Sequence, residues 1–360
     1  MSRPLDRKDK SRFCKRGPTL CCCPGSTFRF CVALLAWLAM SIAAVPLSAQ
    51  LVRGSMDVHW NAGAENCKAS AQPPIQVHSY ETQTLILRQN LCVSYEGNFL
   101  YLLIGNQRAL LIDDGAVSDP TEMPVAKTVL DLLPIQGDSR IPLLVVHTHG
   151  HTDHRDGDPQ FASLPNVQVA PFDLKGVRAF FGFSAWPNGM AHIDLGERVI
   201  DVIPAPGHHQ AHVLFYDNRT GLLFTGDFFL PGRLLVEDTA ADKQSAARVI
   251  EFAKARQVNR VLGAHIELDE NGETYAFGSH YHPHEHSLEL TADDLLMLPA
   301  ALHAFNGFYT RYGNLTLMNQ NHMLEAQAIL ALVILTFIVW SVRRFLRRRR
   351  RKRTAVPVNV

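Results

Sequence analysis

Cysteine is scarce where the chain could use it. Of seven cysteines in 360 residues, Cys14, Cys21, Cys22, Cys23 and Cys31 fall in the first 49 residues, so the body keeps only Cys67 and Cys92. The C-C-C run has no second half at zinc-site spacing, which excludes a cysteine-built zinc site there. Two body cysteines in an exported domain invite a disulfide. Low-complexity sequence is absent outside the C-terminal tail, and no short-period repeat occurs. At 47% apolar and 19% charged the composition is globular rather than disordered. Charge itself is missing from two stretches, between Arg29 and Arg53 and between Glu325 and Arg343. Acid is missing from residues 343–360, which hold nine Lys/Arg.

These gaps organise the chain. Residues 1–49 carry eight Lys/Arg and two Asp/Glu, then C-V-A-L-L-A-W-L-A-M-S-I-A-A-V and a small-residue finish at Leu47-Ser48-Ala49. That order describes a basic leader with a signal peptide or an uncleaved anchor. The second uncharged stretch, 326–342, rises about 25 Å as a helix, at the short end for a bilayer core of about 30 Å. Trp340 and the run R-R-F-L-R-R-R-R-R-K-R suit an interface and a cytoplasmic tail. Both ends then lie inside and the body outside, with a bacterial periplasm favoured. Residues 50–342 are left with 18 Lys/Arg against 32 Asp/Glu. A body that acidic repels phosphate backbones and argues against nucleic-acid partners. It points to a small-molecule substrate, with the membrane as partner through the C-terminal helix.

Within the body, residues 50–79 read as irregular. Apolar runs at Leu85–Leu87, Leu91–Tyr95, Phe99–Ile104 and Ala109–Ile112, broken at Gly97-Asn98 and Gly105-Asn106, read as antiparallel hairpins. Helical spacing covers 124–133, 240–255 and 292–304. Further strands are expected at 141–146, 199–203, 211–216, 222–225 and 258–262. Strands interleaved with helices imply an α/β fold with sheets covered by helices. The domain is expected over 80–300, followed by a linker at 301–325, the membrane helix at 326–342 and the tail at 343–360.

Metal-competent residues recur where aliphatic strands end. Ile141–Val146 runs into H-T-H-G-H-T-D-H, Val199–Ile203 into P-A-P-G-H-H, Leu222–Phe224 into T-G-D, and Val261-Leu262 into G-A-H. Loops at strand ends are where a rigid sheet presents ligands. Imidazole and carboxylate without thiolate favour Zn2+, with Fe or Mn possible, and the donors outnumber one tetrahedral ion. That suggests two ions, with Asp227 between them. A second histidine cluster, S-H-Y-H-P-H-E-H at 279–286, reads as a solvated loop or a cleft rim.

His149-x-His151-x-Asp153-His154 resembles the H-x-H-x-D-H signature of the metallo-β-lactamase fold superfamily. Pro206-Gly207-His208, Gly226-Asp227 and Gly263-Ala264-His265 resemble its later motifs, in order, over roughly residues 80–270. The resemblance implies a four-layer αβ/βα sandwich with the site at one edge of the two sheets. It implies that His149, His151 and His208 hold a first metal, that Asp153, His154 and His265 hold a second, and that Asp227 bridges them. His147 is left as strand-end packing, and His209 and His212 as cleft lining. The implied chemistry is hydrolysis of an ester, thioester, lactone or lactam carbonyl, with Asp153 catalytic. Substrate remains open within the family. The leader argues against a glyoxalase II, and a C-terminal anchor is not usual in β-lactamases. An iron-dependent redox enzyme of the same fold, or a non-catalytic metal-stabilised binding domain on a membrane, stand as alternatives.

Overall fold

A computed structural model describes residues 50–354. The leader, and with it the expected signal or anchor, lies outside the described residues. The fold follows from the two-residue period of its strands. In β3 (Phe99–Ile104), Phe99, Tyr101 and Leu103 enter one core while Leu100, Leu102 and Ile104 enter another. A strand buried on both faces must be covered on both, and that sets the layering.

The first sheet takes β1 (Ile75–Glu81), β2 (Thr84–Gln89), β3 and β4 (Ala109–Ile112) as an antiparallel meander. A small hairpin, β5 (Ile135–Gln136) with β6 (Ser139–Arg140), precedes β7 (Leu143–Val146). β7 and then β8 (Val167–Val169) add in parallel beside β4. The second sheet runs from β9 (Ala191–Asp194) through β10 (Val199–Pro204), β11 (Val213–Asp217) and β12 (Leu222–Gly226). β13 (Arg233–Leu235) leaves it, while β14 (Arg260–Gly263) and β15 (Glu289–Leu290) complete it. β13 forms a third sheet with the hairpin β16 (Tyr309–Tyr312) and β17 (Leu315–Met318).

Between the two large sheets lies a core of Phe99, Tyr101, Ile112 and Val146 against Val202, Phe215, Phe224 and Leu262. Outside the first sheet, α1 (Val125–Leu132) and α2 (Asp158–Phe161) bring Val125, Val129 and Phe161 onto Leu100, Leu111 and Val145. α3 (Leu174–Phe181), capped by Asp173, adds Val177 to the central core. Outside the second sheet, α4 (Thr239–Ala255) and, after α5 (Ala292–Leu295), α6 (Leu298–Ala304) set Val249 and Leu302 against Leu214, Leu223 and Val261. The result is helix, sheet, sheet, helix. Each fully buried phenylalanine is worth about 3–5 kcal/mol against truncation to alanine.

Three expectations need correcting. Residues 91–95 are not a strand: the Asn90 side chain accepts from Cys92 N at 2.8 Å and bends the chain into turns. A disulfide joins Cys67 to Cys92, Cα atoms 5.2 Å apart, and holds that bend. Residues 50–79 are not wholly irregular, since β1 begins at Ile75 as the edge of the first sheet. The stretch expected as a linker, 301–325, is folded instead: it holds the end of α6, β16 and β17, and Leu315 and Leu317 are buried in the outer core. The last residues of that stretch already belong to α7 (Gln320–Thr354), long and apolar enough to cross a membrane, with none of its most apolar stretch buried among the described residues.

Candidate metal centre

β4, β7, β10, β12 and β14 end at one edge of the sandwich, and the loops leaving these strands build the site. β7 ends at Val146, and a single 3-10 turn over Thr152–His154 turns Asp153 and His154 back toward His149. β12 ends at Gly226, whose φ of +52° is left-handed and whose Cβ, if present, would lie 2.7 Å from the Thr148 side chain. Only glycine lets the chain turn there and deliver Asp227. β10 leads through Pro206-Gly207 to His208, and β14 through Ala264 to His265.

The structure brings the seven expected residues into two adjoining groups. In the first, His149 Nε2 lies 2.9 Å from His151 Nδ1, and His208 Nε2 lies 3.1 Å from each. In the second, His154 Nε2 lies 3.1 Å from Asp153 Oδ2 and 3.4 Å from Asp227 Oδ1. His265 Nε2 lies 3.4 Å and 3.3 Å from the same two oxygens. Asp227 faces both groups, with Oδ1 toward the second and Oδ2 3.6 Å from His208 Nε2 in the first.

The outer ring nitrogens explain why the inner ones converge. His208 Nδ1 donates to Leu235 O at 2.9 Å, and His265 Nδ1 to Glu96 O at 2.7 Å. His154 Nδ1 donates to Asp113 Oδ2 at 2.9 Å. With Nδ1 engaged in that way, Nε2 is the ring nitrogen that each of these histidines aims at the centre. Asp113 also accepts from Thr148 N at 2.7 Å and from its hydroxyl at 2.9 Å, fixing the start of the loop. His154 Nε2 and Asp227 Oδ1 are buried and make no well-formed hydrogen bond, although they face each other. Buried polar atoms left so are costly. Converging lone pairs and carboxylate oxygens fit a divalent cation, and that fit is the chemistry of the donor set.

The charges agree. Burial pulls His149 well below its ordinary range and His208 down to about 4, with neighbouring histidines adding to the fall, so both are neutral near pH 7. Burial alone would raise Asp153 and Asp227, yet the charges of His154 and, for Asp227, of His265 outweigh it and hold both carboxyls well below the usual carboxylate range. Burial alone would lower His154 and His265. Asp153 and Asp227 outweigh it and hold both imidazoles well above their ordinary range.

Other expected residues fall elsewhere. His147 joins neither group; its Nε2 lies 3.1 Å from Asp158 Oδ1, beside buried Asp114. His212 is buried and stacks on His149, ring centroids 5.0 Å apart. His209 lies over His151 at 5.2 Å. The 279–286 cluster splits. His282 is buried, stacked on Tyr275 at 4.2 Å, and 3.2 Å from Glu285, which pairs with buried Arg88. His280 and His284 are exposed. Asp113, Thr148 and Glu96 do not stand out in the sequence. Asp113 carries one signal there, a carboxylate ending a buried aliphatic strand.

A cleft of 410 Å³ opens beside the centre. Asp153, Asp227 and His265 line one part of it, and Leu230, Leu235, Val236, Phe277 and Met318 another.

Residues 98–300 match the family model of the metallo-beta-lactamase superfamily. The chain is 26% identical over 216 residues to the "Acyl-coenzyme A thioesterase MBLAC2" of Gallus gallus, covering 51% of this chain and 77% of that protein. It is 33% identical over 177 residues to the hydroxyacylglutathione hydrolase of Synechococcus sp. (strain JA-3-3Ab), covering 47% of this chain and 63% of that one. The chain therefore spans somewhat less than two thirds of that second relative's length. Among solved structures, the metallo-beta-lactamase from Pontibacter korlensis aligns with 53% of this chain and 91% of its own, at 18% identity and a TM-score of 0.39. The family model covers more than half of the sequence, includes strands of both large sheets from β3 onward and contains the whole histidine and aspartate centre, so the chain belongs to the metallo-beta-lactamase superfamily.

Proposed function

We propose that this chain is a membrane-tethered metallo-hydrolase that cleaves an ester or thioester carbonyl of a small substrate, using two divalent ions, by preference zinc. His149, His151 and His208 would hold one ion and Asp153, His154 and His265 the other, with Asp227 facing both groups. The observation that carries the reading is the pinning of His154, His208 and His265 through Nδ1, which aims every Nε2 at the two faces of one carboxylate. The relatives named as an acyl-coenzyme A thioesterase and a hydroxyacylglutathione hydrolase support thioester chemistry. The apolar α7 and the arginine run after it support a membrane anchor, with the domain on the side opposite the tail.

When bound, the ions would supply Lewis acidity for the carbonyl oxygen and a water acidic enough to ionise near neutral pH. The chain supplies the rest. Asp153, within 3.1 Å of His154 and 3.4 Å of His265, orients the attacking water. Its carboxyl, held well below the usual carboxylate range by the charge of His154, stays ionised and can accept a hydrogen bond from that water. Leu230, Leu235 and Val236 keep bulk water from the substrate side.

The test is metal content of the full chain purified in detergent without added metal, followed by an ester, thioester, lactone and β-lactam panel. Two zincs per chain with thioester turnover, lost in His151→Ala/Asp153→Ala, is the expected result. Iron in place of zinc would move the reading to redox chemistry. Less than one ion per folded chain would end it.

A further inference from the structure

The wall of the cleft is continuous with the apolar helix. Resting on the hydrolase reading above, we infer that the cleft opens at a membrane surface and takes an ester or thioester whose long acyl chain is drawn from the bilayer.

No linker separates site from helix. β17 pairs in parallel with β13, Arg233 opposite Thr316 and Leu235 opposite Met318, and Leu235 is the residue whose carbonyl holds His208. After Met318 the chain passes through buried Asn319, whose Nδ2 donates to Glu237 O at 3.3 Å and whose Oδ1 accepts from His322 N at 2.9 Å. His322 Nδ1 in turn donates to Gly307 O at 2.9 Å. Met318, Gln320 and Asn321 line the same cleft as Asp153 and Asp227. The helix then leaves the domain, and among the described residues nothing buries its apolar stretch.

Length decides where the cleft lies. From Gln320 to Ala326 an α-helix rises about 9 Å. The polar layer on each side of a bilayer core is about 5–8 Å thick. The first polar turns, with Gln320, Asn321, His322 and Glu325, therefore cross the headgroup layer, and the cleft wall stands at its outer edge. The surface around the helix start agrees. Phe308 and Tyr309 are half exposed on the β16 side, and Phe277, 72% exposed, sits on the cleft rim. The Arg311–Glu273 ion pair at 2.9 Å ties these two rims together. Exposed aromatics at that level are what a membrane interface accepts. Inside, the apolar wall of Leu230, Leu235, Val236 and Met318 faces the carboxylate and imidazole end, so a chain along the first places its carbonyl at the second. Water's oxygen joins the acyl carbon, the carbon–oxygen or carbon–sulfur bond breaks, and the water's proton goes to the departing alkoxide or thiolate. The fatty acid stays in the bilayer.

Two readouts on the full chain in phosphatidylcholine vesicles test this. In the first, a phospholipid with a diazirine-tagged acyl chain is photolysed and the adducts are mapped. Adducts on 272–278 and 306–312, besides 326–342, are expected; adducts confined to 326–342 overturn the placement whatever the activity. In the second, palmitoyl and butyryl thioesters are compared. Palmitoyl preference of at least about tenfold in kcat/KM, referred to total substrate, is expected because the long chain concentrates the thioester in the bilayer where the cleft opens. Phe308→Ser/Tyr309→Ser should lower vesicle turnover of the palmitoyl substrate severalfold and leave butyryl turnover in detergent unchanged. Equal use of both thioesters overturns the proposal while the hydrolase reading stands. Turnover of neither by the metal-loaded chain overturns both.

Discussion

Asp242 lies buried in the first turn of α4, its carboxyl against Gly207. Burial, with the charge of Asp238 adding to it, pushes this carboxyl up to about 8. An aspartate in the unfolded chain ionises near 3.9. The folded state therefore holds a proton that the unfolded state releases, and stability falls as pH rises from about 4 to about 8, then levels. Asp242→Asn removes that loss while keeping the shape. At pH 9 it should stabilise the detergent-solubilised chain by roughly 2–5 kcal/mol, and below pH 4 by almost nothing. Equal thermal midpoints at pH 9 would refute the argument. At this scale the donors were readable, because imidazole and carboxylate announce themselves by type. Their supports were not. Leu235 and Glu96 hold His208 and His265 through backbone carbonyls, which every residue possesses.

The strands that were readable are those with four to six aliphatic residues and two faces to cover, such as β3, β4 and β7. Missed strands such as β8, β9, β13, β16 and β17 have three or four residues and too little pattern to stand out, and β1, though seven residues long, is an edge strand broken by the polar residues Gln76, His78, Ser79 and Glu81. Residues 91–95 misled because Leu91 and Cys92 are apolar for a different reason: they anchor a turn. That turn carries a prediction. The disulfide closes a loop of 25 residues, worth about 3 kcal/mol of unfolded-state entropy. The same segment bridges Gly63 to Tyr281, and Ala62 O accepts from His282 N at 2.8 Å. Cys67→Ser/Cys92→Ser should therefore lose about 3 kcal/mol in denaturant unfolding. Its amide exchange should quicken at 62–67 and 280–282 together. Faster exchange at 62–67 alone would show that the two segments do not depend on each other.

Across the whole molecule the two sheets are joined by more than apolar packing. Arg198, fully buried, donates to Gln83 O in the turn between β1 and β2, to Ile104 O at the end of β3, to Thr84 Oγ1, and to Asp217 Oδ2 at 2.7 Å at the end of β11. Asp217→Ala leaves that guanidinium buried without its counter-charge and should cost about 3–5 kcal/mol, read from denaturant unfolding. A loss below about 1 kcal/mol would mean water reaches the pair. The layered sandwich was readable from its motifs, but the junction of cleft and helix was not, since it depends on β13 meeting β17 from far along the chain. That junction also has a mechanical side. With α7 in a bilayer, tension or thinning that tilts the helix would pull on β17, cross three backbone pairs to β13, and arrive at the carbonyl that holds His208. The anchor would then act as a strain gauge wired to a metal ligand.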